Sequence, residues 1–197
     1  MASEYWRTFF TSLFEIILII KHLENHRSLY FAIGFTLVFI LYISLVLLPL
    51  SSCFRLDIGS NSLGLSIYNT EMVQGFFQAR DQAQLFCYNQ FLQLWDVIFA
   101  VVSTAMFGSW IIYLFKNKRL LLLAPTVLGM IADWSENFVE LLMLETYLNS
   151  GAISETLVSL GSGLNLFKLI MIGLTYLIIL TGIILILKAF ITKPKKY

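Results

Sequence analysis

The chain has 197 residues, of which 58% are hydrophobic and only 13% charged, with a net charge of +1 and a mean hydropathy of +0.81. A soluble domain of this length has too little interior to hide so much apolar surface, and its charged share is normally about twice as large. The near-zero net charge leaves no basic footprint for nucleic acid, and two cysteines, Cys53 and Cys87, are too few for a disulfide scaffold or a Cys-based zinc site.

In chain order, residues 1–28 form an N-terminal segment. Its apolar run, Tyr5 to Ile20, carries Arg7 and Glu15 and ends at Lys21-His22. It is shorter than the ~20 residues that cross a bilayer, so it reads as an interfacial helix, and no small-residue cleavage site follows it. His22 and His26 have the spacing of two metal ligands on one helix face, but the Glu-x-x-His context is absent and they read as solvated interface residues.

Residues 29–50 are the first expected span, uncharged and ending near Pro49. Residues 51–89 form a long connection. Within it Asn69-Thr70-Glu71 has the form of a helix start, which predicts a short helical cap whose Phe76-Phe77 pair dips into the interface. Cys53 and Cys87 both fall in this connection; a disulfide there and two separate thiols are both open readings.

Residues 90–115 are the second expected span, followed by the basic turn Lys116-Asn117-Lys118-Arg119. Residues 120–144 are the third, with Pro125 expected in its first turns, where its missing N–H costs little. A polar connection over 145–163 leads to the fourth, residues 164–190, where Gly161, Gly163, Gly173 and Gly182 suit close helix packing. The 29–190 region is thus one four-span antiparallel bundle, an all-α integral membrane fold with an outer cap and an inner interfacial helix.

Basic residues gather before the first span, in the second-to-third turn and in the 191–197 tail, which places both termini on the cytoplasmic side. A spanning Tyr5–Ile20 would invert the N-terminus. The tail, Lys193-Pro194-Lys195-Lys196-Tyr197, fits the K-x-K-x-x form of an endoplasmic-reticulum retrieval signal, and equally the basic end of any cytoplasmic terminus.

One stretch breaks the apolar pattern. Asp133, Glu136, Asn137 and Glu140 stand at i, i+3, i+4 and i+7 of the third span, hence on one helix face. Such a face is costly in hydrocarbon unless it is buried and paired. Asp96 in the second span and Lys168 in the fourth fall at similar depth in the outer half, with Gln93 and Asn165 as further candidates. The second span also offers a stripe of Asn89, Gln93, Asp96, Ala100 and Ser103. One ammonium cannot balance four carboxylates, so the surplus needs protons, water, a bound cation, or Arg55 and Arg80 from the cap.

The expected site is therefore Asp96, Asp133, Glu136, Asn137 and Lys168, with Gln93, Glu140 and Asn165 as additions. Asp133 and Glu136 are the acids, Lys168 the counter-ion, and Asn137 with Asp96 the orienting groups. A non-enzymatic site for a cation, a proton or a polar lipid head group is the first reading. A purely structural cluster in an accessory subunit of a larger membrane complex is the second. A lipid-modifying enzyme, with Asp133 or Glu136 as acid or base, is the third. No resident metal or cofactor is expected; the partners are the bilayer and other membrane subunits.

Pro125, Ala132-Asp133-x-x-Glu136-Asn137 and Phe167-Lys168 together resemble a widespread set of small four-pass membrane proteins. Those carry a P…AD-x-x-EN third helix, an Asp in the second helix, matched here by Asp96, and a Lys in the fourth. The resemblance covers roughly Gln90 to Ile172 and implies a fold but no activity. The layout is also similar to claudin-like proteins, but the Trp and Cys pattern of their first outer loop is absent.

Overall fold

The computed structural model describes residues 27–56, 63–115 and 119–192. The expectations for the N-terminal helix with His22 and His26, for Lys116 to Lys118 and for the 193–197 tail lie outside the described residues. The fold is all-helical, with no strand among the described residues. Among the described residues the helices are α1 (Arg27–Ser51), α2 (Thr70–Gln78), α3 (Gln82–Leu114), α4 (Arg119–Ser150) and α5 (Glu155–Ile191), with a 3₁₀ turn at Leu63–Leu65. By length and composition α1, α3 and α5 can each cross a membrane. The fourth long helix, α4, has 32 residues, but its apolar run is broken by Asp133, Glu136 and Glu140.

Local chemistry moves several boundaries from those expected. The α2 start is as read: the Asn69 side chain accepts from the Met72 N–H at 2.9 Å. In contrast, α3 begins at Gln82 and not at residue 90, because Asp81 and Gln84 form a reciprocal capping box with bonds of 2.8 and 3.1 Å. The polar connection expected over 145–163 is mostly helix. Gly151 ends α4 at φ +68°, a conformation costly to residues with a Cβ, and its N–H bonds the Tyr147 carbonyl at 2.7 Å. The Ser154 hydroxyl then caps α5 through the Leu157 N–H. Pro125 also differs from expectation. It lies inside α4, past the first turn, and so leaves the Leu121 carbonyl without its helical donor.

Helices α4 and α5 pack along their length, and α3 packs against both. Tight approach occurs where glycine permits it. Gly182 lies against Leu114 and Phe115, and Gly161 against Tyr68 and Val139, whereas Gly163 and Gly173 face open space. Only two of those four glycines therefore serve close packing. Helix α1 attaches to α3: Phe39 meets Phe99 at 5.7 Å between ring centroids, Tyr42 donates to the Trp95 carbonyl at 2.7 Å, and Trp110 donates to the Thr36 hydroxyl at 2.9 Å. The outward faces of α1 and α5 remain apolar and exposed, as at Leu37, Leu41, Leu177 and Leu187.

The main apolar core lies at the end of the helices covered by the 51–81 segment. Phe54, Phe76, Phe77, Tyr88 and Phe91 are buried there, with Phe54 5.0 Å from Phe91 and Phe77 5.2 Å from Tyr147. Phe76 and Phe77 are thus core residues and do not dip outward, because α2 turns that face onto α3 and α4. Arg80 stacks 3.4 Å above the Phe76 ring and donates to the Phe54 and Phe76 carbonyls, so it serves the cap. Cys53 and Cys87 form a disulfide with a Cα–Cα distance of 6.3 Å, tying the end of α1 to the start of α3.

Two stability measurements follow. Replacing both Cys53 and Cys87 by serine lowers unfolding stability by about 2–4 kcal/mol, read by thermal unfolding of the purified protein. A Cβ at Gly161 meets the Tyr68 hydroxyl. Gly161→Ala therefore costs about 1–3 kcal/mol, and adding Tyr68→Phe recovers much of that loss.

Candidate functional site

The expected face of α4 is intact. Glu136, Asn137 and Glu140 are 0%, 4% and 1% exposed, so all three point into the protein. Trp134 leaves on another side, where its indole donates to the Val97 carbonyl at 3.2 Å.

From α5, Lys168 reaches this face. Its ammonium bonds one oxygen of Glu136, lies 3.1 Å from Asp133 Oδ1, and donates to the Gly64 carbonyl at 3.2 Å. An ammonium has three protons; here three acceptors take them. The backbone can approach so closely because residue 64 is glycine: a Cβ there would stand 3.3 Å from Lys168 Nζ and 3.5 Å from Glu136 Oε1.

From α3 come two more partners. Asp96 Oδ2 accepts from the Asn137 amide at 2.9 Å, and the Tyr88 hydroxyl donates to Glu140 Oε2. Both reach α4 because α3 widens into a π-turn at Phe91–Trp95. An α-helix advances about 100° per residue, which would set Tyr88 and Asp96 about 80° apart. The extra residue absorbed by the π-turn removes most of that offset. The same widening turns Gln93 to an exposed position, so it is not part of the site. The expected stripe from Asn89 to Ser103 breaks there: Asp96 and Ala100 stay on the inner face.

The segment after the 3₁₀ turn closes the site from the cap side. Asn165, fully buried, donates to the Ser66 carbonyl at 2.7 Å, and the Tyr68 N–H donates to the Ser162 hydroxyl at 3.3 Å. Arg55 is exposed and Arg80 is engaged in the cap, so Lys168 is the ion-pair partner of the carboxylates among the described residues. Glu140, which could have reached the interface, is instead enclosed by the Tyr88 contact. Sequence reading missed Gly64, Ser66, Tyr68 and Tyr88. For Tyr88 no fixed helical period could have found it, since the π-turn resets the count.

A second pattern concerns atoms without partners. Asp133 Oδ2, Glu136 Oε1, Glu140 Oε1 and Asn165 Oδ1 are buried and accept no hydrogen bond, and the Tyr68 hydroxyl is buried and unpaired. Burial raises the Tyr68 pKa, and the neighbouring Glu140 and Glu136 charges raise it further. Below the cluster, away from the cap, a cavity of about 130 Å³ lies among α3, α4 and α5, reaching α1 at Phe39. Ser103, Thr104, Thr126, Asp133, Lys168 and Thr175 supply its polar lining; the Thr126 and Thr175 hydroxyls stand 3.2 Å apart. Phe39, Phe99, Phe107 and Tyr176 supply much of the rest.

The site is thus rich in acceptors and saturated in its one cation. It has acceptors without donors, and the Tyr68 hydroxyl is a buried donor without an acceptor. No family model, curated protein or solved structure matches the chain.

Removing the counter-ion should be the most damaging single change. Lys168→Met costs about 3–5 kcal/mol by leaving two buried carboxyls uncompensated, against about 1–3 kcal/mol for Tyr88→Phe; chemical unfolding of the two variants gives the order. Tyr68 sets an alkaline limit. Its raised folded-state pKa means that its contribution is intact below the unfolded value of 10.0 and is lost as pH climbs beyond it. Tyr68→Phe flattens the fall in melting temperature above about pH 10.

Proposed function

We propose that the chain is a four-span membrane protein with both termini on the cytoplasmic side, and that its buried acid–lysine cluster is a non-enzymatic site for a cation, a proton or a hydrogen-bond-donating head group. In this reading α4 is the fourth span, beside α1, α3 and α5, and the bundle hides its carboxyl face from lipid. The endoplasmic reticulum is the membrane to which the basic tail points. The observation that carries the site is the set of unpartnered buried oxygens on Asp133, Glu136, Glu140 and Asn165 beside an ammonium whose three protons are spent. Buried acceptors without donors are rare in native structures and mark a missing partner or a stored strain.

The likeness to small four-pass proteins with a P…AD-x-x-EN helix is also proposed as a shared fold. Its support is that the residues of that pattern meet: Asp96 with Asn137, and Asp133 and Glu136 with Lys168.

A second reading has its own observation. The complete saturation of Lys168 is what a register-fixing network requires, and the exposed apolar faces of α1 and α5 suit partner helices. That reading makes the chain an accessory subunit with a structural cluster.

Thermal unfolding of the purified full-length protein in sodium, calcium and tetramethylammonium chlorides at equal ionic strength separates them. The site reading expects at least one cation to raise the melting temperature, by an amount equivalent to about 2.7 kcal/mol at a hundred times its Kd, and Asp133→Asn to abolish the rise. Indifference to all three, together with an unchanged response in Asp133→Asn, favours the register-fixing network. Accessibility of tags at the two termini from one face only of sealed vesicles tests the even span count.

A further inference from the structure

We propose that the occupant of the cluster is a proton, held on Glu140 and shared with Glu136, and that it exchanges with the surroundings. This rests on the reading of the cluster as a ligand site and names what it binds.

Charge singles out Glu140. Lys168 pairs with Asp133 and Glu136. Glu140 is 1% exposed and meets a neutral group instead, the Tyr88 hydroxyl, which donates to its Oε2. A carboxyl group so deeply buried against a neutral partner is far less costly as the acid than as the anion. Asp96 has less need of a proton, since it is only half-buried and takes the Asn137 amide.

Geometry supplies the second partner. Glu136 and Glu140 stand one turn apart on the same face of α4, with their carboxyl groups within hydrogen-bond reach of each other. Two carboxylates only accept, and they repel; with one proton between them they bond. Glu136 gives Oε2 to Lys168 and Glu140 gives Oε2 to Tyr88, while Oε1 of each is buried without a donor. A proton on Glu140 Oε1, donated to Glu136 Oε1, satisfies both atoms at once. A metal ion is the poorer match: among the described residues no three acidic, His or Cys side chains converge closely enough to hold one.

Tyr68 makes the proton exchangeable. Its side chain is 3% exposed, and its hydroxyl lies against Gly161 without an acceptor. Glu140 and Glu136 are the charges that act on it. While Glu140 holds its proton, this donor is unspent. Once the proton leaves, Glu140 becomes a second buried carboxylate, and the Tyr68 hydroxyl stands ready to donate to it. The remaining charged groups facing the pair set which member carries the proton. Lys168 on α5 holds Glu136 as the anion, and Asp133 and Asp96 oppose a further negative charge. Arg80 stands beyond Tyr88.

Infrared difference spectroscopy of the full-length protein in lipid nanodiscs, followed through a pH titration in H2O and D2O, tests this. A neutral carboxylic acid has a carbonyl stretch that carboxylates and amides lack. The proposal expects one such band at neutral pH that shifts in D2O, disappears reversibly as pH rises, and is missing from Glu140→Gln. The glutamine can still accept from Tyr88 and donate to Glu136. Tyr68→Phe keeps the band to a pH higher by roughly one to two units, because the ionised state loses its donor. Asp96→Asn leaves the band in place; if Glu140→Gln does not fold, these last two variants carry the test. Absence of the band at neutral pH overturns the proposal, as does a band lost in Asp96→Asn or unmoved by Tyr68→Phe. A Glu140 band that neither exchanges with deuterium nor titrates before unfolding makes the proton a fixed part of the fold, and overturns exchange together with the ligand-site reading. No band, but a cation-induced rise in melting temperature, keeps the ligand site and overturns the proton as its occupant.

Discussion

The ammonium of Lys168 is the point at which the separate parts of this protein are tied. It takes one oxygen from Glu136 and one from Asp133 on α4, and the Gly64 carbonyl from the segment beneath the cap. Each of these partners would be costly to bury alone. Satisfied together, they bind α5 to α4 and bring the cap segment down on both. The network specifies relative height as well as contact, since a shift of one helical residue, ~1.5 Å, would break bonds at 3.1 and 3.2 Å.

Around that point the structure adapts α3 to α4. The π-turn at Phe91–Trp95 lets a helix that begins in the cap core continue with Asp96 facing Asn137. Tyr88, before the turn, belongs at once to the aromatic core with Phe54 and Phe76 and to the polar site through Glu140. Cap packing and site geometry are therefore coupled through one side chain. The Cys53–Cys87 disulfide holds the same corner, since Cys87 directly precedes Tyr88.

Much of this was legible in the sequence, for a simple reason. A charged residue in an apolar helix has few places to go, so Asp133, Glu136, Asn137, Asp96 and Lys168 had to seek one another, and they do. The all-helical class followed equally from composition. What was not legible depended on backbone irregularity and on neutral residues. Gln93 sits on the expected stripe only if α3 is regular. Gly64 contributes a carbonyl, which no side-chain pattern announces. The 145–163 stretch read as a loop because it is polar, although Gly151 and Ser154 confine the break to a few residues. Polarity there records where the helices leave the apolar zone, and not where they end.

The division of labour within the carboxyl groups bears on whether the cluster is scaffold or site. Asp133 gives Oδ1 to Lys168 and leaves Oδ2 without a donor; Glu136 gives Oε2 to Lys168 and leaves Oε1; Glu140 gives Oε2 to Tyr88 and leaves Oε1. Each side chain thus commits one oxygen to the fold and leaves the other without a backbone or side-chain donor. A network evolved only for register would gain by filling those oxygens with threonine or asparagine donors, which cost little in a buried setting once paired. Three half-satisfied carboxyls on one helix face are unfavourable for the fold taken alone. The register that Lys168 enforces therefore also fixes where the unpaired oxygens stand.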